Sequence, residues 1–410
     1  MTREASTPIA IVGMGTKSGA GNSPKELWDT LRAARPAGRP ITRLEVPAEL
    51  EALACQNDEF TGADYLPKHE IRRMDRVHLF ALASAIDAVE EAGTGPEAER
   101  TGVVVGVSSG AIEYLEAQYR TLLDRGPHRV SPLTTPITMV NSTAAHLSLH
   151  FGVKGPSHTF STACASGSSA IGEGARLLRD DSVDRVIAGG TDAQIALSTL
   201  TFYWRMEAMS RNVADPDRAC RPFDRDRDGF VMGEGSAFVV LERLDDAVAA
   251  GHDVLALVRG YGYGSDAHHL VAPCDDGDGA RRCMEHALRD AGADTSDVAH
   301  INAHGTATPR NDIAEARGIR ALFGDVPPPV TATKSVTGHL LGGSGAVETV
   351  ASVRSLHAGE IHPVAGYETP DPEVALDVVA GAPRPAGAGA VLSNSFGFGG
   401  HNASLLISAP

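Results

Sequence analysis

Long apolar runs are missing from this chain of 410 residues. No stretch approaches the roughly 20 residues that cross a bilayer, so no membrane span is expected. Aromatic residues are scarce, at 5% against 44 glycines, a mix suited to tight turns and closely approaching helices more than to a bulky aromatic core. Cationic side chains are outnumbered, 36 Lys and Arg against 52 Asp and Glu, and the net charge of −16 would repel a polyanion. Nucleic-acid binding is therefore not expected. Cysteine is sparse as well: Cys55, Cys164, Cys220, Cys274 and Cys283 are odd in number and none sits in a CxxC pair. That pattern speaks against structural zinc and against a disulfide framework, and for a reducing, cytoplasmic setting. The first 15 residues hold one short apolar run, Ile9 to Val12, without a small-residue cleavage pattern, so no signal peptide is expected.

What is present is the balance of a soluble globular protein, with 42% hydrophobic and 21% charged residues. Glycine-bounded, β-prone runs predict strands at Ile9–Gly13, Gly102–Val107, Arg185–Ala188, Ala237–Leu241, Leu255–Val258, Ala299–Ala303, Gly389–Ser393 and Ala403–Ile407. Helical patterns fall at Pro24–Ala33, Arg76–Glu91, Ala165–Arg179, Gly279–Ala291, Ile313–Leu322 and Gly345–His357. The alternation predicts an α/β layered fold with buried strands. Two echoes suggest an internal duplication. Thr162 to Gly167 (TACASG) matches Thr333 to Gly338 (TKSVTG) at an offset of 171 (335 − 164), and Ile9 to Gly15 rhymes with Leu255 to Gly262. Two similar halves, 1–250 and 251–410, are expected, meeting near Ala250 and Gly251.

Three motifs have ordinary explanations beside their functional ones. Gly13, Gly15 and Gly19 after a strand imitate a dinucleotide loop, but the required acidic strand end about 20 residues on is replaced by a Pro/Arg-rich segment, so a structural glycine turn is expected. Asp224 to Gly229 (DRDRDG) imitates a calcium loop, yet its twelfth position is Gly235 in place of a bidentate Glu, so an ionic turn is expected. A lone cysteine is more often inert core than nucleophile. Cys164, however, opens a predicted helix, where the dipole and free N–H groups favour a thiolate, and its neighbours are small enough to admit a bulky thioester. Two histidines, His304 and His339, stand in similar Thr/Gly-rich settings at predicted strand ends and loops. The run Asn394 to Gly400 (NSFGFGG) reads as a flexible turn carrying two aromatics.

Taken together, GPSHTFSTACASG, RPFDRDRDGFVMGEG, NAHGTATPRND, TKSVTGHLLGGSGAVE and SNSFGFGGHN, in that order along nearly the whole chain, resemble the β-ketoacyl synthase family of the thiolase fold, ketosynthase II type. The resemblance implies a duplicated fold of two pseudo-symmetric halves in five α-β-α-β-α layers. It implies a decarboxylative Claisen condensation in fatty-acid or polyketide elongation, with Cys164 accepting the acyl group and His304 and His339 promoting decarboxylation of a malonyl thioester. It further implies Lys334 as a catalytic-site lysine tied to a carboxylate, expected to be Glu315, and Phe398 as gate and, with Cys164, oxyanion-hole N–H donor. Thr306 and Thr308 match positions that bind the phosphopantetheine arm. Neither metal nor redox cofactor is implied, because decarboxylation drives the step. The implied partners are an acyl carrier protein, docking on the basic cluster of Lys68, Arg72 and Arg73, and a second subunit, identical or paralogous. Ser109 and Tyr203 fall where the family shapes its acyl tunnel. A catalytically silent chain-length-factor role is the non-enzymatic alternative, disfavoured by Cys164; a degradative thiolase would use a second cysteine in place of the paired histidines. His401, Val271 and Glu207 depart from the family's usual residues, leaving details of pantetheine contact and docking open.

Overall fold

The computed structural model describes residues 7–93 and 95–410. Ten strands form its main sheet path: β1 (Ile9–Ser18), β2 (Thr101–Gly106), β3 (Ser157–Phe160), β4 (Arg185–Ala193), β5 (Met232–Arg243), β6 (Ala256–Ser265), β7 (Val298–Asn302), β8 (Val330–Thr331), β9 (Ala390–Gly397) and β10 (His401–Ser408). Their spatial order is β3-β2-β4-β5-β1-β6-β10-β9-β7-β8. Read from either end, each half runs third, second, fourth, fifth, first strand of its own set. The halves join where β1 and β6 pair antiparallel, Ile9 with Val258 and Ile11 with Ala256.

The longer helices are α1 (Pro24–Arg32), α2 (Arg76–Glu91), α3 (Ile112–Arg125), α4 (Ser142–Phe151), α5 (Ser166–Arg179), α6 (Leu197–Arg205), α7 (Asp278–Ala291), α8 (Pro309–Phe323) and α9 (Ser344–Ala358). Local chemistry sets several starts. Ser23 accepts from the Glu26 N–H with Pro24 in the first turn, and Asp75 caps α2 while His78 Nδ1 accepts from the Asp75 N–H in return. α5 and α9 lie at the centre, packed on each other and on strands of both halves, whereas α2 covers β1, β4 and β5 on one outside and α7 covers β6 and β10 on the other. This is the five-layer, duplicated α/β architecture. Small residues make the central layer possible: α5 reads SGSSAIGEGARLLR and α9 SGAVETVASVRSLHA, and ten or more residues of each are buried. Gly13 and Gly15 answer to packing in the same way, since a Cβ there would lie 2.1 Å from the Ala88 carbonyl and 2.2 Å from that of Ser84 in α2. The dinucleotide-like loop is thus a strand continuing under a helix.

All the predicted strands and helices are present, most of the strands longer than expected. Not foreseen were β3, β8 and the helices α3, α4 and α6. The TACASG/TKSVTG echo is corrected. Ala163 and Leu341 share an unusual backbone, φ 50° and 49°, immediately before the two central helices, which begin at Ser166 and Ser344. The offset is therefore 178 (341 − 163 and 344 − 166), and Cys164 corresponds to Gly342, not to Ser335. The DRDRDG segment is an ionic turn, as expected: Asp224 accepts the N–H groups of Asp226, Glu368 and Thr369, and Arg227 pairs with Asp371 at 2.6 Å.

Candidate active site

Cys164 sits in a tight turn, Ala163–Ala165, that feeds directly into α5. Ala163 has the left-handed φ that L side chains avoid. The conformation is held by Ser166, whose Oγ donates to the Ala163 carbonyl at 2.6 Å and accepts the Thr162 N–H at 2.9 Å. The turn thereby keeps Cys164 at the N-terminal, positive end of the α5 dipole. Burial pushes the Cys164 thiol up to about 12; the Lys334 charge and the backbone N–H groups of Phe398 and of Cys164 itself act in the opposite direction. Gly397 makes the approach of the Phe398 N–H possible, because a Cβ there would meet the Thr162 carbonyl at 2.7 Å and the Cys164 nitrogen at 3.0 Å.

The two histidines arrive from the other half. His304 follows β7 and His339 follows the Lys334–Thr337 turn. The His339 Nε2 lies 3.1 Å from Cys164 Sγ, and the two imidazoles meet edge to face with centroids 5.5 Å apart. One nitrogen of each ring and the sulfur all lie within 4.8 Å of one another. Hydrogen bonding defines both tautomers. The Leu341 backbone N–H donates to His339 Nδ1 at 3.2 Å, so that nitrogen accepts and the neutral ring carries its proton on Nε2. Lys334 does the same for His304, its Nζ donating to Nδ1 at 3.2 Å. Burial and the Lys334 charge hold both histidines well below the ordinary imidazole range, so both are neutral Nε2–H donors at neutral pH. A metal bridging both Nε2 atoms would require the protons to move to Nδ1 atoms that already accept hydrogen bonds, which disfavours metal binding by this cluster.

Lys334 is wholly buried and its three N–H bonds have three acceptors: His304 Nδ1, the His304 carbonyl at 2.7 Å and Glu348 Oε1 at 2.5 Å. The expected partner, Glu315, is a correction. Glu315 accepts the backbone N–H groups of His304 and Gly305, each at 2.8 Å, and so shapes the loop that carries His304 without pairing with the lysine. The ion pair falls to Glu348 because α9 lies at the centre of the molecule, facing the Lys334 turn. Burial pushes both glutamates up to about 7.

The triad opens on a cavity of about 500 Å³ that is also lined by Tyr203, Thr306, Thr308, Glu315 and Phe398. Thr306 and Thr308 share a hydroxyl hydrogen bond of 2.8 Å. Phe398 is half-buried, lies against Tyr203 with ring centroids 6.4 Å apart, and is followed by Gly399 and Gly400, both at positive φ. Glu207 and Val271, two of the departures from the family pattern, line the cavity, whereas His401 is exposed beyond it. The structure does not bring every predicted residue to the site. Ser109 is exposed on the single chain and does not line the cavity. Lys68, Arg72 and Arg73 are exposed around a one-turn helix, and among the described residues none of the three enters an ion pair. Residues missed in the sequence are Glu348, Ser344, whose Oγ lies 3.0 Å from His339 Nδ1, and Phe230 and Phe396, which pack edge-on against His339 and His304. Glu348 and Ser344 lie inside the TKSVTGHLLGGSGAVE motif, but no local spacing marks them as partners of Lys334 and His339.

Comparison with known proteins agrees with this geometry. Residues 6–247 match the β-ketoacyl synthase N-terminal domain and residues 255–368 the C-terminal domain. The chain is 39% identical over 402 residues to a 3-oxoacyl-[acyl-carrier-protein] synthase 2 of Synechocystis sp., and 38% identical over 404 residues to the one of Staphylococcus aureus, with 97% of each chain covered in both cases. Among solved structures it is similar to the ishigamide ketosynthase/chain length factor, with a TM-score of 0.92, 31% identity and coverage of 99% of this chain and 100% of that one. It is also similar to a type II polyketide synthase acyl carrier protein in complex with its ketosynthase bound to the hexaketide, with a TM-score of 0.89, 25% identity and the same coverage. The cysteine turn, the paired histidines and these full-length matches lead to one conclusion: the chain belongs to the β-ketoacyl synthase family.

Proposed function

We propose that the protein is a 3-oxoacyl-[acyl-carrier-protein] synthase, an acyltransferase that condenses a malonyl unit with an acyl chain held on Cys164 in fatty-acid or polyketide elongation. The observation that carries this reading is the approach of Cys164 Sγ and one nitrogen each of His304 and His339 to within 4.8 Å beside the cavity. In the first half-reaction the Cys164 thiolate attacks the acyl thioester. The N–H groups of Cys164 and Phe398 hold the oxyanion, and the pantetheine sulfur leaves as a thiolate that takes up the proton the Cys164 thiol has given up. A malonyl thioester then enters. Its bond to the carboxylate breaks, carbon dioxide departs, and the electron pair passes into an enolate whose oxygen accepts the Nε2–H donors of His304 and His339. The enolate carbon attacks the acyl-Cys164 carbonyl, a carbon–carbon bond forms, and the sulfur leaves as thiolate. Lys334 takes no proton in this scheme; it keeps His304 in the donating tautomer.

The remaining assignments follow the same reading. Thr306 and Thr308 offer hydroxyls to the pantetheine arm, and Phe398 gates the cavity from its glycine-flanked turn. The substrates ride on an acyl carrier protein, which docks on Lys68, Arg72 and Arg73. A second subunit, a copy or a ketosynthase-like paralogue, covers the end of the sheet: edge strand β3 leaves Ser157 and His158 exposed, and Leu133, Met139 and Leu149 are exposed in the segment leading up to it. Such a partner would bring Ser109, exposed in the single chain, into an acyl tunnel with Tyr203. The halves divide at 1–250 and 251–410, and the setting is cytoplasmic; among the described residues no helix is long and apolar enough to cross a membrane. A silent chain-length-factor role gains no support from a chain that retains Cys164.

The test is intact-mass spectrometry combined with a decarboxylation assay. Cys164→Ala loses acylation and condensation but keeps malonyl decarboxylation. His304→Ala and His339→Ala each lower decarboxylation by about 10² or more, the scale of one oxyanion donor. An acyl adduct on the Cys164→Ala protein overturns the assignment.

A further inference from the structure

The two halves can be superimposed from their hydrogen-bonding registers alone. β1 skips Val12 where its pairing with β5 shifts, and β6 skips Arg259 where its pairing with β10 shifts. Matching these bulges matches the pair Gly13–Val240 to the pair Gly260–Leu406. Carried across the sheet, the pair Asp192–Gly235 then falls on the pair Gly397–His401. Asp192 is therefore the counterpart of Gly397, just as Gly342 is the counterpart of Cys164.

Each half thus has a turn residue facing a strand-end residue: Cys164 faces Gly397, and Gly342 faces Asp192. In the first pair the missing Cβ of Gly397 leaves room beside the Cys164 N–H for a substrate oxygen. In the second the equivalent space is filled. Asp192 is fully buried; its Oδ2 accepts the Gly342 N–H at 2.6 Å and the Ser108 N–H at 3.1 Å, and its Oδ1 accepts from Gln194 Nε2 at 3.0 Å. A Cβ on Gly342 would lie 2.7 Å from Oδ2. Among the described residues no ion pair reaches this carboxylate, which is held by neutral donors, the N–H groups above and the Ser108 hydroxyl. The turn it closes, Leu341–Gly343, is the one whose Leu341 N–H and neighbouring Ser344 hydroxyl meet His339 Nδ1.

We propose that Asp192 is a positioning residue: an internal anion that occupies the pseudo-symmetric copy of the oxyanion hole and holds the Leu341–Gly343 turn, so that His339 presents Nε2–H to the reacting thioester. The inference rests on the decarboxylating role of His339. It gives Asp192 a part in decarboxylation that acyl transfer to Cys164 does not require, since toward Cys164 its charge only helps to push the thiol up.

The experiment compares Asp192→Asn, which keeps the shape but cannot accept two N–H bonds at one charged group, and Asp192→Gly, which copies Gly397 and empties the space. Asp192→Asn is expected to lower kcat for malonyl decarboxylation by on the order of 10- to 100-fold, the scale of a displaced catalytic group. Its KM for the malonyl thioester and its rate of Cys164 acylation by an acyl thioester are expected to stay near wild type. Asp192→Gly is expected to show the same loss and to recover when formate is added, while formate leaves the wild type unaffected. Unchanged decarboxylation in both variants while His339→Ala is inactive overturns this inference alone. Equal loss of acylation and decarboxylation without formate recovery overturns it too, as does loss of the folded circular-dichroism spectrum in both variants. Retention of decarboxylation by His339→Ala overturns the underlying reading, and this inference with it.

Discussion

Replacing Glu348 by leucine removes the anion that, among the described residues, is bonded to Lys334 and leaves a buried ammonium with two neutral acceptors. Both side chains are 1% exposed and 2.5 Å apart, so water cannot take the place of the lost carboxylate. Breaking one side of such a pair costs about 3–5 kcal/mol. An unfolding entropy of about 2.1 cal/mol/K per residue over this chain is about 0.9 kcal/mol/K, so the melting temperature should fall by about 3–6 °C. Lys334→Met should cost a similar amount by orphaning Glu348. The double variant Lys334→Met/Glu348→Leu, which replaces two charges by two apolar side chains of comparable size, should return to near wild-type stability, giving a coupling energy of several kcal/mol in the cycle. Decarboxylation should not return with it, because nothing then donates to His304 Nδ1 and the ring is free to take the wrong tautomer. The parallel cycle with Glu315→Gln should be close to additive, since the bonds Glu315 makes run to the His304 and Gly305 backbone. Calorimetry on the five variants and the wild type, with a decarboxylation assay on each, decides the matter. A double variant that stays as unstable as the sum of its singles, or a Lys334–Glu315 coupling as large as that with Glu348, would refute the reasoning.

Three further outcomes are expected. Burial lowers His78 from 6.5 to about 3, so it stays neutral in the fold and binds its proton on unfolding; its contribution to stability is complete above pH 6.5 and is lost as the pH falls, by on the order of 2 kcal/mol between pH 6.5 and 5. Urea titrations should show His78→Gln losing less stability than wild type over that interval, and equal losses would count against the argument. Gly397→Ala should abolish Cys164 acylation, read by intact mass, while the fold persists, because its Cβ falls 3.0 Å from the Cys164 nitrogen; full acylation would reject the proposed oxyanion geometry. Reversing Lys68, Arg72 and Arg73 to Glu should weaken turnover of carrier-bound substrate far more than of a small thioester mimic, most at low salt, and equal losses would remove the docking assignment.

The sequence by itself determined what depends on near neighbours along the chain. β-branched runs between glycines located the strands, the start of a helix with small residues on both sides singled out Cys164, and ordered motifs supplied His304 and His339. The helices it missed, α3, α4 and α6, carry few or no buried residues on the single chain, so their apolar stripe is weak and periodicity has little to register. Only the tertiary structure decided which carboxylate Lys334 meets. Glu315 and Glu348 are both buried glutamates on helices, and the choice between them is set by the central position of α9, a matter of layer packing that no spacing encodes. The symmetry was misplaced for a related reason. TACASG and TKSVTG share their first Thr and last Gly, but the dyad relates backbone shapes, and Leu341 shares the left-handed φ of Ala163 in a local sequence that agrees only in the Ser-Gly pair opening each helix. Cys164 and Gly342, or Gly397 and Asp192, become counterparts only when two sheets are laid over each other. Their residue types differ because one copy of the cradle receives a substrate and the other is filled by the protein itself.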